Sequence, residues 1–225
     1  CIQKVSEKED DIPGLQFTTD NGALLTGIAG PCHVAGGTAW LWARPDAAEA
    51  VDVLFIDEAA QMSLANVLAV SQAAKSIVLL GDPRQLEQPM QGSHPEGTDV
   101  SALDHILGDH ATIPTDRGLF LAETWRLHPA ICSFTSEMFY ESRLLPRPGL
   151  ELQTINSSGA IAGSGLRYLP VVHHGNQSSS PEEADAVQAL VQSIFASNAT
   201  WVDRAGDENA VTLDDILIIA PYNAQ

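Results

Sequence analysis

Two short apolar runs, Val53–Ile56 and Ile77–Gly81, predict two buried strands. Each run is continuous rather than alternating, which is the pattern of a strand that is covered on both faces. The segment between them predicts a helix that Ser63 caps and that ends near Ala74. We expect the inner face of this helix to consist of Leu64, Val67, Leu68 and Ser71. A strand, a helix and a strand in this order form a βαβ unit with two parallel strands.

Acidic residues follow both predicted strands. Asp57 and Glu58 come directly after the first strand, and Asp82 comes after Gly81 at the end of the second. Because the crossover connection of a βαβ unit is right-handed and its strands are parallel, both strands end at the same edge of the sheet. Ligands of open α/β sheets bind outside the carboxyl ends of the strands. We therefore expect a ligand site at this edge.

The remaining pattern predicts a second α/β unit and a domain boundary near residues 110 to 118. We divide the chain into residues 1–116 and residues 117–225. The other predicted elements are a short helix near Ser101–Leu107, a helix over Pro129–Tyr140 with Ile131, Phe134, Met138 and Phe139 inward, a strand over Leu166–Val172, a helix from Ser180 to about Phe195, and a strand over Ile216–Ala220. Residues 1–26 predict a frayed lead-in, and residues 145–165 predict irregular structure.

Composition excludes a broadly basic surface and a membrane span. Eleven lysines and arginines stand against 29 acidic residues, so the formal net charge is -18 and any contact with a polyanion has to be local. The longest apolar runs are far shorter than the roughly 20 residues that cross a bilayer. Cys1, Cys32 and Cys132 lie far apart without metal-ligand spacing, which argues against a zinc site or a disulfide framework. We expect a cytoplasmic protein.

An apolar strand that runs into Asp-Glu is typical of a magnesium–nucleotide site. Asp57 would hold Mg²⁺ through its water shell, and Glu58 would polarise an attacking water. Gln85 would lie beside these acids, within reach of a terminal phosphate. Two alternatives stay open: a metal-dependent nuclease or phosphatase that uses Asp57, Glu58 and Asp82, or a motor-like domain that has lost hydrolysis and binds other proteins.

Four segments, in order along the chain, resemble motifs of superfamily 1 helicases. The resemblance is to the branch that includes the nonsense-mediated-decay helicase and the helicase-nucleases of Okazaki-fragment processing. The segments are Val53–Ala60, which resembles the Walker B motif, Gly81–Leu86, which resembles motif III, Thr124–Pro129 with Phe139-Tyr140, which resembles motif IV, and Ile218–Gln225, which resembles a Pro-Tyr-x-x-Gln strand. The sequences of Gly36–Arg44 and His174–Asn176 most resemble those of bacterial helicases that are fused to a RecB-like nuclease.

This resemblance implies an α/β fold of the RecA-like, P-loop NTPase type, with parallel sheets and flanking helices. Residues 1–116 would be the latter part of a first motor domain, and residues 117–225 the first part of a second. The implied function is that of an ATP-dependent DNA helicase or translocase, which couples ATP hydrolysis to movement along single-stranded DNA or RNA, with ATP and Mg²⁺ as cofactors.

The resemblance also implies a role for each matching residue. Asp57 binds Mg²⁺, Glu58 is the catalytic base, Gln85 senses the γ-phosphate, Arg126 is an arginine finger that reaches the phosphates across a cleft, Trp125 lies against the adenine, and Thr38, within Gly36–Trp40, touches the nucleic-acid backbone. No role in chemistry is implied for His33, His173 or His174, which we interpret as packing or loop residues.

One motif of the family is missing from this sequence. The phosphate-binding loop Gly-x-x-x-x-Gly-Lys requires a lysine after a glycine, whereas Lys4, Lys8 and Lys75 follow Gln, Glu and Ala. We therefore expect an internal part of a motor that is inactive by itself. Its partners would be the rest of the same polypeptide, namely the Walker A part, a last arginine motif and a fused nuclease domain. We expect a role of the whole protein in DNA repair.

Overall fold

The computed structural model describes residues 1–7, 12–85, 100–159 and 161–225. The chain divides into two compact units, Cys1–His110 and Ala111–Gln225. This division falls within residues 110 to 118, where the sequence pattern predicts the boundary, and six residues before the expected division after residue 116. None of the described helices is long and apolar enough to cross a membrane.

The first unit begins with a three-stranded parallel sheet in the order β2-β1-β3. Its strands are β1 (Ile2–Lys4), β2 (Gln16–Thr18) and β3 (Ala35–Gly36). Helix α1 (Asn21–Ile28) follows β2, and the carboxylate of Asp20 caps it by accepting from the Ala23 N–H at 2.6 Å. The prediction of a frayed lead-in over residues 1–26 is wrong. Strands of two or three residues are too short to show a period, so the sequence pattern missed them.

The second sheet of this unit is the predicted βαβ unit. Strands β4 (Val51–Ile56) and β5 (Ala74–Leu79) are parallel, with Ile56 opposite Leu79. Between them lies α3 (Leu64–Ser71), and the Ser63 hydroxyl caps it by accepting from the Asn66 N–H. The helix ends before Ala74 because β5 begins there. The short helices α2 (Ala39–Trp42) and α4 (Ala102–Leu107) complete the unit, together with 3-10 turns at Pro45–Ala47 and Ala59–Gln61.

The β4–β5 sheet buries only one of its faces. Leu54 and Ile56 lie in the core, whereas Val53 and Phe55 are 42% and 65% exposed. The prediction of strands covered on both faces is therefore wrong for the described part of the chain. Alternate residues of a strand point to opposite faces, and the helices of this unit pack on the face of Leu54 and Ile56.

Two amphipathic patterns gave correct helices but partly incorrect inner faces. Helix α3 buries Val67 and Val70, while Leu68 is exposed. Helix α5 (Pro129–Phe139) buries Cys132 and Ser136, while Phe134, Met138 and Phe139 are exposed. A polar contact determines which face of α5 is buried, because the Ser136 hydroxyl accepts from the Leu144 N–H at 3.0 Å. Burial raises the pKa of the Cys132 thiol on the same face.

The second unit combines a parallel strand pair with an antiparallel sheet. Strands β6 (Glu123–Thr124) and β7 (Leu145–Pro146) are parallel and flank α5 in sequence. The antiparallel sheet has the order β10-β9-β8, and its strands are β8 (Thr154–Asn156), β9 (Thr200–Val202) and β10 (Glu208–Ala210). Helix α6 (Pro181–Ala196) begins after Ser180, as predicted, and the Ser180 hydroxyl accepts from the Glu183 N–H. A 3-10 turn at Leu150–Leu152 and the strands β7 and β8 lie where irregular structure was predicted.

Two predicted strands are not formed in this unit. Residues 166–172 and 216–220 have no strand assignment, and Tyr168, Val172, Leu217 and Ile219 are exposed. A strand requires a neighbour whose backbone N–H and C=O groups pair with its own. Within the described residues these two apolar segments have no ladder partner, so their pattern alone did not make them strands.

Candidate functional site

The carboxyl ends of β4 and β5 form the edge at which the sequence placed its acidic residues. The Leu80 N–H donates to the Ile56 carbonyl at 2.8 Å, and the Ala59 N–H donates to the Leu80 carbonyl at 2.8 Å. The backbone of Leu80 is thus hydrogen-bonded to the residue before and the residue after Asp57-Glu58. The structure therefore brings this acidic pair next to Gly81.

Glu58 has a backbone conformation that is uncommon for a residue with a side chain. Its φ is 51° and its ψ is 40°, in the left-handed region, and the Asp57 carboxylate accepts from the Glu58 N–H at 3.0 Å. This conformation costs on the order of 1 kcal/mol for a residue other than glycine. The next residues, Ala59 and Ala60, are buried and hold the turn in place, whereas both acids are exposed. Four other described residues with side chains also have a positive φ, so it is the position of Glu58 at the end of β4, beside Gly81, that makes it a candidate.

Gly81 makes the close approach of the two loops possible. Its φ is +155°, and a Cβ atom at this position would lie 3.0 Å from the Ala59 nitrogen and 3.2 Å from the Ala60 nitrogen. Both atoms belong to the backbone, so they cannot move aside as the end of a side chain can. Only glycine therefore fits here without displacing the turn that carries Glu58.

Asp82 organises the loop that follows β5. Its carboxylate accepts from the Arg84 N–H at 3.0 Å, and its carbonyl accepts from the Gln85 N–H at 3.1 Å. This turn leaves Gln85 exposed, a few residues beyond the edge that holds Glu58. Leu86, the last residue of the motif III resemblance, lies outside the described residues.

The candidate residues of the second unit follow strand β6. The Thr124 hydroxyl accepts from the Arg126 N–H at 3.3 Å and from the Leu127 N–H at 3.4 Å, which fixes a tight turn. Arg126 is exposed, and its guanidinium forms no hydrogen bond or ion pair with the part of the chain that the structure describes. Trp125 is 54% exposed, and the guanidinium carbon of Arg147 lies 3.3 Å from the centre of its ring.

Thr38 lies at the exposed start of the short helix α2. Its carbonyl accepts from the Leu41 N–H at 3.0 Å, and its side chain forms no capping bond. The preceding Gly37 packs closely, since a Cβ atom there would lie 2.5 Å from the Leu41 Cδ2 atom. The Thr38 hydroxyl is therefore free of the role in helix capping that this position usually has.

Comparisons with known proteins place the chain in a family. The family described as an AAA domain matches residues 98–225, which is more than half of the chain. The chain belongs to this AAA domain family. Among its relatives, "Probable helicase MAGATAMA 3" of Arabidopsis thaliana is 30% identical over 183 residues, which cover 77% of this chain and 21% of the relative.

Two further relatives carry the word helicase in their names. "DNA polymerase alpha-associated DNA helicase A" of Schizosaccharomyces pombe is 24% identical over 185 residues, 77% of this chain and 26% of the relative. "Helicase SEN1" of Saccharomyces cerevisiae is 26% identical over 102 residues, 45% of this chain and 4% of the relative. The chain thus spans about a quarter or less of the length of these relatives. No solved structure matches the chain significantly.

These matches confirm two predictions from the sequence. The chain belongs to a superfamily 1 helicase-like family, and its fold class is α/β of the RecA-like, P-loop type. The antiparallel sheet of β8, β9 and β10 is an addition to the parallel sheets that the sequence predicted.

The acidic edge of this helicase-like chain has the donor chemistry that suits Mg²⁺. Magnesium prefers oxygen ligands, keeps several waters and uses only one or two carboxylates of the protein. Asp57 is exposed and accepts from the Glu58 N–H with only one of its carboxylate oxygens, so it fits a water-mediated contact with the ion. Among the described residues, no three His, Cys, Asp or Glu side chains form a group that would hold a metal by themselves.

Sequence reasoning missed two residues next to Trp125 in this family member. Arg147 stacks on the Trp125 ring, and Glu123 lies 3.8 Å from the same guanidinium. Arg147 is separated from Trp125 by helix α5 and the turn after it, so no local spacing connects them. The pairing of β6 with β7, which the sequence pattern did not predict, brings Arg147 next to Trp125.

Proposed function

We propose that this chain forms part of the motor of an ATP-dependent helicase or translocase that moves along single-stranded DNA or RNA. The observation that carries the proposal is the edge of the parallel β4–β5 pair, where Asp57 and the strained Glu58 lie against Gly81. The word helicase in the names of the relatives supports nucleic acid as a ligand of the whole protein. ATP and Mg²⁺ are proposed as its cofactors from membership of a helicase-like family.

The acidic edge supplies the hydrolytic chemistry in this proposal. Asp57 would hold Mg²⁺, which neutralises charge on the phosphates when it is bound. The Glu58 carboxylate orients the attacking water and accepts its proton. The Gln85 amide donates a hydrogen bond to the terminal phosphate or to the water, because it can do so without adding negative charge to an acidic edge.

The second unit and Thr38 supply the other contacts. Arg126 places a planar guanidinium on the phosphoryl oxygens, where it stabilises charge that grows in the transition state. Trp125 stacks on the adenine base. Thr38 donates its hydroxyl to a backbone phosphate of the single strand. With a net charge of -18, strand binding relies on local contacts such as the Thr38 hydroxyl rather than on a basic surface.

We also propose that the 225-residue chain does not hydrolyse ATP by itself. None of its three lysines follows a glycine, so the sequence contains no lysine loop that cradles the β- and γ-phosphates. Phosphate release from ATP, measured with and without single-stranded DNA, should stay at the background rate. A rate that depends on Glu58 in this chain would contradict the expectation. A fused RecB-like nuclease and a role in DNA repair remain predictions from the resemblance, and a cytoplasmic location remains a prediction from the cysteine content.

The test of the proposed function is Glu58→Gln in the full-length protein. Gln has nearly the same shape and still binds water, but it cannot accept a proton, so phosphate release should fall about 10²- to 10⁴-fold. Binding of a fluorescent ATP analogue should not change.

Glu49→Gln is the matched control. Glu49 is also exposed and also has a φ of 51°, but it precedes β4 and lies at the opposite end of that strand. Loss of one charge from the acidic surface is the same in both variants. Equal phosphate release by Glu58→Gln and Glu49→Gln would therefore reject Glu58 as the base.

A further inference from the structure

Strand pairing in the second unit places Arg147 opposite Trp125. In the β6–β7 pair, Glu123 is opposite Leu145 and Thr124 is opposite Pro146. The Arg147 N–H donates to the Thr124 carbonyl at 3.0 Å, which extends the ladder by one step. The next residues along both strands, Trp125 and Arg147, are therefore neighbours across the pair.

Three contacts hold the Arg147 side chain on the Trp125 ring. The guanidinium carbon lies 3.3 Å from the ring centre, which is the distance of direct stacking. Glu123 is two residues before Trp125 and so lies on the same side of β6. Its carboxylate is 3.8 Å from the Arg147 Nη1 atom, and the backbone bond to Thr124 fixes the position from which the side chain starts.

The exposure of Trp125 indicates that the face of its ring opposite Arg147 is open. A flat ring has two faces, and the guanidinium covers one of them at contact distance. Trp125 nevertheless remains 54% exposed, and from this we infer that its other face is in contact with solvent. A cation on one face draws π-electron density toward itself, so the open face suits a second aromatic ring better than a second cation.

We propose that Arg147 is a positioning residue: its guanidinium contacts one face of the Trp125 ring and fixes the orientation of the ring. The adenine base of a nucleotide then stacks on the opposite face. This inference rests on the proposed function, which supplies the nucleotide. Fixing the ring before binding lowers the entropy that base stacking costs. Glu123 contributes by holding the guanidinium in the plane of the stack.

The experiment follows the indole N–H signals of the 225-residue chain by NMR while AMP is added. The chain has four tryptophans, and the loss of one signal in Trp125→Phe assigns that residue. AMP should shift the Trp125 signal. Arg147→Met should weaken AMP binding about three- to tenfold, the size expected for a stacking contact that has lost its support. Arg147→Lys should restore little, because an ammonium has no flat face.

Two further variants separate positioning from folding. Arg143→Met is the matched control, because the Arg143 guanidinium lies 4.7 Å from the centre of the Phe120 ring in the same unit. It should leave the AMP affinity unchanged. Glu123→Gln keeps Arg147 but removes the negative charge that holds its guanidinium. This variant should also weaken AMP binding, by a smaller factor than Arg147→Met. Thermal melts and the other indole signals report whether each variant is folded.

The failures of the two proposals are distinguishable. If AMP binds Arg147→Met and Glu123→Gln as tightly as the unchanged chain, the positioning role is wrong and the proposed function stands. If AMP does not shift Trp125 in the unchanged chain, the base contact of the proposed function fails, and the inference about Arg147 fails with it. If a single strand of deoxyadenosines shifts Trp125 at a much lower concentration than AMP, the base comes from the strand, and the assignment to the nucleotide is wrong.

Discussion

Gly81→Ala tests whether the two loops of the candidate site depend on a close backbone approach. In the structure, the new methyl group would lie 3.0 Å from the Ala59 nitrogen, 3.2 Å from the Ala60 nitrogen and 3.1 Å from the Leu103 Cδ1 atom. The first two atoms belong to the backbone of a buried turn. The substitution must therefore move β5, or the turn that carries Glu58, or both.

The expected loss of stability has two parts. Holding a residue with a side chain at a φ of +155° costs about 1–2 kcal/mol. Overpacking against backbone that cannot rotate away adds about 1–3 kcal/mol. We therefore expect Gly81→Ala to lower the free energy of unfolding by about 2–5 kcal/mol, which is a large part of the roughly 5–15 kcal/mol of a typical domain.

Gly14→Ala is the control for the conformational part alone. Gly14 has a φ of +85°, but no atom lies within 4 Å of the position that the new methyl group would occupy. The free energy of unfolding of Gly14→Ala should fall by only about 1 kcal/mol, because the new methyl group is not overpacked. Urea unfolding of both variants, followed by circular dichroism, measures the difference. If Gly81→Ala is no less stable than Gly14→Ala, the two loops do not depend on this contact and the reasoning is wrong.

Two other predictions concern charged groups. Arg126→Ala in the full-length protein should lower strand-stimulated phosphate release about 10³- to 10⁵-fold, with little change in melting temperature, because the side chain is exposed; Arg126→Lys should restore little. Near-normal release by the alanine variant would make Arg126 a surface residue. The Glu182 carboxylate accepts from its own backbone N–H and from the Asn176 amide, which hold its pKa below the ordinary 4.5. Its contribution to stability is present above that value and is lost as the pH falls through the lower, folded-state pKa, so Glu182→Gln should reduce the fall in melting temperature on acidification. An unchanged acid dependence would contradict this.

The sequence by itself determined the elements whose signals are local. A continuous apolar run that ends in Asp57-Glu58, followed by a Ser63 cap and a second run, was enough to predict the parallel β4–β5 pair and the helix between them. Ser180 and Pro181 were similarly enough to predict where α6 begins. Capping bonds join residues two or three positions apart, and strand runs show directly in the sequence, so these features do not depend on the rest of the fold.

The tertiary structure decided which of these elements pair and which faces they bury. The apolar segment Ile216–Ala220 has a pattern as strong as that of β4, yet it is not a strand, because pairing needs a neighbour that local sequence does not specify. Phe55 points outward for a similar reason, because local sequence does not specify which face of β4 the helices cover. The stack of Arg147 on Trp125 exists only because β6 pairs with β7 in one register. Such contacts join distant parts of the chain, and their register is fixed by backbone hydrogen bonds formed in the folded state.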